Sequence, residues 1–474
     1  MLLPADFTSY TREMMGDTLF ERLLKGLSAA PITSIRLNSL KVSQIVCDGG
    51  ESSFTFPLDA PVPWCQDGFY LNTRPNFTFD PLLHAGGYYV QEAASMFIDH
   101  VVRQHIQHPV LMLDLCAAPG GKSTALRAAL PTGSVLISNE VVRQRANILM
   151  ENIQKWGHPD AMATHATPAD YRRSGLLFDA ILTDVPCSGE GMFRKDAGAI
   201  DEWSVKNVLK CQQLQREIVA DAWACLRPGG LLIYSTCTLN TKENEENIAW
   251  MMEKLGAEAI GLDIEEQWGI TGSLLPSLNA PVYRFIPGIS HGEGLFMAIL
   301  RKEGERASIL DEVPDKKDRK KKKSVSTECQ KALPVTEWLT DNESFVFIQQ
   351  GEVIRAIPRW WQHIYDRLKG LCILHAGVEV ATIRGHDFVP CHALALSSSL
   401  HHGAFKEYAL SYEEAIRYLR REAITLPPTT PRGWVLMTYK NLPLGFMKHL
   451  GTRSNNLYPQ EWRIVSQLKT EGNK

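Results

Sequence analysis

At 474 residues the chain exceeds the usual size of one hydrophobic core, so two to four domains are expected. It is 44% hydrophobic and 22% charged, ordinary values for a water-soluble globular protein, and no apolar run approaches the roughly 20 residues that span a bilayer. A formal charge of −3 excludes a global attraction to phosphate, and ten cysteines without C-x-x-C pairs or clustered histidines argue against a zinc site or a disulfide framework.

The start, Met1-Leu2-Leu3-Pro4-Ala5-Asp6, has no basic region followed by an apolar run, so no secretory signal is expected and a reducing cytoplasm is the expected location. Residues 1–105 read as an opening α+β module. Helical periodicity runs from Phe7 to Leu27, and Ser34-Ile35-Arg36-Leu37-Asn38 is strand-like. Residues 106–303 alternate apolar runs with helical patterns. The strand candidates are Val110–Leu115, Ser134–Glu140, Ala161–His165, Asp179–Asp184, Leu231–Thr236, Glu258–Leu262 and Phe296–Leu300. Helices are predicted over Gly121–Leu130, Val141–Trp156, Val205–Leu226 and Lys242–Leu255. Strands spaced in this way by helices predict βαβ units and a right-handed parallel sheet, an α/β class of Rossmann-like form.

Residues 304–330 are charged and poor in aromatics, so they read as a linker. Within it, Lys316–Lys323 sets seven bases around one acid, compatible with a solvated linker, a phosphate-contacting arm or a nuclear address. Residues 331–474 change to short β-like runs with one helix, Tyr412–Arg421, and form an α+β tail. In that tail Arg359, Trp360, Trp361, Lys440, Lys448, Arg453 and Tyr458 mix aromatics with bases, a composition that suits base stacking and phosphate contact.

Three strand ends carry chemistry. The first runs Leu111-Met112-Leu113-Asp114-Leu115-Cys116-Ala117-Ala118-Pro119-Gly120-Gly121-Lys122-Ser123, a strand, a tight loop and a helix start. Two glycines let the backbone approach a ligand, and the helix N-terminus offers free N–H groups. Cys116 stands where a Walker A loop needs glycine, and there is no G-x-G-x-x-G, so a triphosphate or dinucleotide is disfavoured. Glu140, at the end of the second strand, suits ribose hydroxyls. The pair fits an adenosine ligand without a polyphosphate, such as S-adenosylmethionine.

The other two ends carry thiols: Asp184-Val185-Pro186-Cys187-Ser188-Gly189 and Ser235-Thr236-Cys237-Thr238. Parallel sheets bind ligands at the carboxyl ends of their strands, so the three ends predict one cleft. A thiolate that adds to carbon 6 of cytosine makes carbon 5 nucleophilic toward a methyl sulfonium, and a base must then remove the carbon-5 proton so that the thiol can leave.

Together with Met192-Phe193-Arg194-Lys195-Asp196 and Leu239-Asn240-Thr241-Lys242-Glu243-Asn244-Glu245, these motifs closely resemble the RsmB/RsmF family of S-adenosylmethionine-dependent RNA 5-methylcytosine methyltransferases, and within it the bacterial 16S ribosomal RNA type. The resemblance extends to Ser34–Asn38, to Tyr88-Tyr89-Val90-Gln91-Glu92, to His291-Gly292-Glu293-Gly294 and to the late Gly433-Trp434 and Pro443-Leu444-Gly445 stretches. It implies a methyltransferase sheet with a PUA-like RNA-binding tail. It also implies that Cys237 is the nucleophile, that Cys187 assists release of the adduct, and that Asp184 contacts the base, the cofactor or both. The loop of Cys116, Ala117, Ala118, Pro119, Gly120, Gly121 and Lys122, with Glu140, would hold S-adenosylmethionine. Similar enzymes place an aspartate after the third strand against the adenine amino group. Here Thr167 aligns with it, and Asp170 follows three residues on.

Arg194 and Lys195 are expected to contact phosphates around a cytosine drawn out of its stack. Ribosomal RNA or the small ribosomal subunit is the expected partner, for a monomer that needs no metal. A transfer RNA cytosine, or RNA binding without turnover by a ribosome-assembly factor, are the alternative readings.

Overall fold

The computed structural model describes residues 3–46, 54–305 and 334–466. The helical run expected from Phe7 to Leu27 is two helices, α1 (Ala5–Met15) and α2 (Asp17–Ser28), because Gly16 between them takes φ 75° and ends the first. Strands β1 (Thr33–Leu37), β2 (Ala60–Pro61), β3 (Gly68–Leu71) and β4 (Tyr88–Val90) form an antiparallel sheet in the order β2-β3-β1-β4. Helix α3 (Phe97–His105) leads out of this module into the next.

The central sheet is built from β5 (Leu111–Asp114), β6 (Val135–Asn139), β7 (Ala161–His165), β8 (Phe178–Asp184), β9 (Leu226–Thr236), β10 (Glu258–Ile260), β11 (Tyr283–Phe285) and β12 (Leu295–Arg301). The helices between them include α4 (Gly121–Ala129), α5 (Arg143–Trp156), α6 (Pro168–Ser174), α7 (Val205–Ala224) and α8 (Glu245–Leu255). β5 pairs in parallel with β6 and with β8, β6 with β7, and β8 with β9. The chain winds outward in both directions from β5, which makes the β5/β8 boundary the topological switch point where such sheets bind ligands.

The expected all-parallel sheet needs one correction here. β12 lies between β9 and β10 and runs antiparallel to both, so Phe296–Leu300 enters the sheet in the reverse sense. The 261–294 connection before it carries no long crossover helix, and without a crossover a chain returns antiparallel.

The tail holds two four-stranded sheets. One is ordered β13 (Phe345–Gln350), β14 (Val353–Pro358), β16 (Val378–Arg384) and β17 (Asp387–Pro390). The other is ordered β18 (Lys406–Ala409), β19 (Gly433–Tyr439), β20 (Leu442–His449) and β21 (Ser454–Asn456). The strand between β14 and β16, β15 (Cys372–Ala376), belongs to neither. It pairs antiparallel with β7 and extends the central sheet, with Cys372 opposite His165. Trp361, which precedes it in the chain, enters the same core, fully buried, its Nε1 donating to Asp160 at 3.0 Å. The change of composition near residue 304 therefore does not separate two packing units. On the other flank, α9 (Tyr412–Leu419), capped reciprocally by Ser411 and Glu414, packs Tyr418 and Leu419 into one cluster with Ile35, Leu37 and Tyr88 of the opening module. The basic run Lys316–Lys323 lies outside the described residues.

Candidate active site

Asp114 ends β5, and the following loop turns at Gly120 (φ 111°) into α4, whose first turn carries no side-chain cap. Its N–H groups are thus left for an anionic ligand group. A side chain would crowd the turn: a Cβ on Gly121 would stand 3.2 Å from the Tyr89 ring, and one on Gly120, already strained by its positive φ, 3.3 Å from the Asn152 Cβ. The loop carbonyls are anchored from α5, by Asn152 to Pro119 at 2.8 Å and by Arg145 to Ala118 at 2.9 Å. Glu140 is buried at the end of β6, where one carboxylate oxygen accepts from the Val142 N–H at 2.8 Å and the other faces Arg145 at 3.4 Å. Desolvation, then the neighbouring carboxylates, pushes the Cys116 thiol upward.

Asp114 is fully buried. One oxygen accepts from the Ser123 hydroxyl at 2.6 Å, and the other has no hydrogen-bond partner. Burial raises its carboxyl to about 7. An uncapped helix start, a glycine cradle, a ribose-competent carboxylate and an orphaned acid together fit a nucleoside with a charged amino-acid arm. At the third strand end the structure uses the two candidate adenine contacts on each other. The Thr167 hydroxyl donates to the Asp170 carboxylate at 2.6 Å, and the pair makes a capping box on α6. Hydrogen bonding to Thr167 lowers the Asp170 carboxyl below its ordinary value.

The thiols come together because β8 and β9 are parallel neighbours, with Asp184 in register with Ser235. Cys187 and Cys237, a few residues beyond, meet with their sulfurs 3.2 Å apart. Cys237 raises Cys187 well above an ordinary thiol, with desolvation second. Lys122 donates to Asp184 at 2.8 Å and lies near enough to Cys237 to feel its charge. The loop ends are thus one site, as three strand ends of a single sheet predict.

Arg194 is a correction. Its side chain is 4% exposed, pairs with Glu293 at 2.8 Å and donates to the carbonyls of Gly26 and Gly292, so it ties the loop to α2 and to the Glu293 turn and is closed to a phosphate. Lys195 is paired with the same Glu293 at 3.3 Å and is 29% exposed. In the tail Tyr458 and Trp361 are core residues, whereas Trp360 is 41% exposed. Lys448 stacks over Trp434 and pairs with Asp387 at 3.0 Å.

Sequence reasoning missed the buried polar frame behind the thiols. Glu190 accepts from the Trp203 indole at 2.8 Å and from the Leu239 N–H at 2.9 Å. Arg284 and Glu245, both fully buried, form a two-pronged ion pair, and Arg284 also donates to the Leu239 carbonyl. Glu243, Asn240 and Gln215 complete the frame. The signal available for them was the polar run Asn240–Glu245 in a stretch otherwise bounded by core strands.

A doubly wound sheet with a glycine loop and an uncapped helix start at its switch point, and two thiols in contact beside it, has the layout of an S-adenosylmethionine-dependent methyltransferase. Residues 3–93 match the N-terminal domain of 16S rRNA methyltransferase RsmF, residues 104–301 the 16S rRNA methyltransferase RsmB/F family, and residues 405–464 the methyltransferase RsmF PUA domain. Ribosomal RNA small subunit methyltransferase F of Salmonella heidelberg is 32% identical over 97% of this chain and 96% of its own length. The Pectobacterium atrosepticum protein of the same name is 29% identical over 97% and 95%. Among solved structures, a methyltransferase homologue from Pyrococcus horikoshii superposes with a TM-score of 0.52 at 26% identity, over 62% of this chain and 94% of that one. NSun6 from Pyrococcus horikoshii with SFG shares the fold, with a TM-score of 0.52 at 21% identity over 64% and 99%. The chain belongs to the RsmB/F family of 16S rRNA methyltransferases.

Proposed function

We propose that the protein transfers a methyl group from S-adenosylmethionine to carbon 5 of a cytosine in small-subunit ribosomal RNA, as a monomer in the cytoplasm. The observation that carries this reading is the pair of sulfurs 3.2 Å apart at adjacent strand ends, beside Lys122 and Asp184. The cofactor supplies an electrophilic methyl group. Cys116 to Lys122 and Glu140 would hold it, and the uncapped start of α4 would offer its free N–H groups to the charged arm, with Thr167 and its partner Asp170 the candidates at the third strand end. Cys187, held well above an ordinary thiol by its neighbour and by burial, keeps its proton and can donate it toward the Cys237 sulfur. The Cys237 thiolate adds to carbon 6 of the flipped cytosine, and the paired Asp184 and Lys122 are the groups that would receive the ring's polar edge. After methylation a base takes the carbon-5 proton, the electron pair of that C–H bond restores the ring's 5,6 double bond, and the carbon 6–sulfur bond breaks with its electrons returning to the Cys237 sulfur, Cys187 assisting. The PUA domain and Lys195 contribute RNA contacts away from the chemistry. RNA as the acceptor agrees with the names of the relatives and with the PUA match.

The test is transfer of labelled methyl to small-subunit RNA or subunits, analysed for 5-methylcytosine. The intact protein is expected to methylate. Cys237→Ala is expected to lose transfer by at least a thousandfold, and Cys187→Ala to accumulate a denaturant-resistant protein–RNA adduct. Loss of adduct formation in Cys187→Ala but not in Cys237→Ala would reverse the roles. Bound cofactor without transfer to any ribosomal RNA would refute the substrate.

A further inference from the structure

We propose that Glu243 is the positioning residue of the thiol pair, holding the Cys187 turn in the place from which it assists release of the adduct. The proposal rests on the cysteine mechanism above. Glu243 is fully buried behind the two strand ends, and it joins three elements. One carboxylate oxygen accepts from the backbone N–H of Ser188 at 3.0 Å and from the Gln215 amide at 2.7 Å. The other accepts from the Asn240 amide at 2.8 Å. Gln215 of α7 spends its second N–H on the Pro186 carbonyl at 2.9 Å. Pro186 and Ser188 flank Cys187, so the carboxylate grips that turn on both sides of the thiol, directly and through Gln215.

The same carboxylate reaches the other cysteine. Asn240 also donates to the Thr238 hydroxyl at 3.0 Å, and that hydroxyl meets the Ser188 hydroxyl at 2.8 Å. Thr238 follows Cys237, so one acid coordinates the residues after both thiols. Above it, Tyr234 of β9 donates to the Glu243 carbonyl at 2.6 Å, which anchors the acid to the strand that carries Cys237.

A carboxylate is the group this position requires. Both oxygens of the ionised form can accept from the N–H donors around them, whereas an amide has one oxygen and would turn its NH2 toward a donor. Isosteric Glu243→Gln therefore places two donors face to face and loosens the turn. A misplacement of about 1 Å at a reacting group costs on the order of a hundredfold in rate. Burial, which raises the Glu243 carboxyl to about 7, shows the cost of keeping an acid here, and Glu190 adds to it. Neutral residues would tie two turns together without that cost.

The experiment uses the full-length protein with small-subunit RNA, comparing the parent, Cys187→Ala, Glu243→Gln and Gln215→Met. Turnover, KM for RNA, cofactor affinity and the fraction of protein in a denaturant-resistant RNA adduct are measured together. The expected result for Glu243→Gln is turnover reduced about ten- to hundredfold, with KM and cofactor affinity within about twofold of the parent. The adduct should accumulate as it does in Cys187→Ala. Gln215→Met, which releases only the Pro186 side, should show the same pattern more weakly. Reduced turnover without accumulated adduct, or unchanged turnover, overturns the proposal. So does loss of the fold in both variants, which would make the network structural alone. Failure of the parent to methylate, or of Cys187→Ala to trap an adduct, would instead refute the underlying mechanism.

Discussion

Asp114→Asn tests whether the acid beneath the cofactor loop is held against its own preference. The folded protein raises the Asp114 carboxyl from 3.8 to about 7, chiefly through burial and further through the charges of Asp184 and Glu140, while the Ser123 hydroxyl and the Lys122 charge pull the other way. The folded state thus binds this proton more tightly than the unfolded chain does. Stability from this group is present below pH 4 and is lost as pH rises toward 7, at up to about 1.4 kcal/mol per unit. The accumulated cost is about 4 kcal/mol by pH 8, of which about 3 kcal/mol develops between pH 5 and pH 8. Asparagine keeps the acceptor for Ser123, carries no charge and loses no proton. The stability of Asp114→Asn relative to the parent is therefore expected to improve by about 3 kcal/mol between pH 5 and pH 8. Paired denaturant unfolding of the two proteins, followed by tryptophan fluorescence at several pH values, measures this difference. Glu243, raised in the same direction, is present in both proteins and cancels. A difference independent of pH, or one that shifts in favour of the parent as pH rises, would refute the argument.

Two further substitutions separate the frame of the site from its RNA surface. Arg194→Met removes the buried partner of Glu293 and is expected to destabilise the fold by about 3–5 kcal/mol. It should leave the slope of log RNA affinity against log salt unchanged, and a slope reduced by about one would restore Arg194 as a phosphate contact. Gly191→Ala places a methyl 2.4 Å from the Gly294 carbonyl oxygen and 2.8 Å from that of Cys237, both backbone atoms. The Cys237 turn must then move, with turnover expected to fall at least tenfold and stability by about 1–3 kcal/mol, read by methyl transfer and thermal unfolding. Activity equal to the parent would show that this contact does not hold Cys237 in place.

Much of the site was legible in the chain alone. Apolar runs that alternate with helix-length periodic segments predict parallel βαβ units, and in such units chemistry gathers at the carboxyl ends of strands. Asp114 to Ser123, Asp184 to Cys187 and Thr236 to Cys237 each sit at such an end. Their convergence follows from local pattern together with the fixed handedness of the connections. Family, fold class and cofactor follow from the same three motifs.

The tertiary structure decided what depends on partners distant in sequence. β12 slips between β9 and β10 in the reverse sense, and β15 leaves the tail to complete the central sheet, because edge pairing is chosen by whichever strand the fold brings alongside. Arg194 reads as a surface base in its own loop, yet its counter-charge lies 99 positions away at Glu293. Glu243 stands near the start of the helix predicted over Lys242–Leu255, where local pattern assigns it no partner, yet it is buried against Ser188, 55 positions upstream. Periodicity reports which face of an element is apolar. Whether a charged side chain ends in water or in a buried network is settled by the donors and acceptors that packing sets around it.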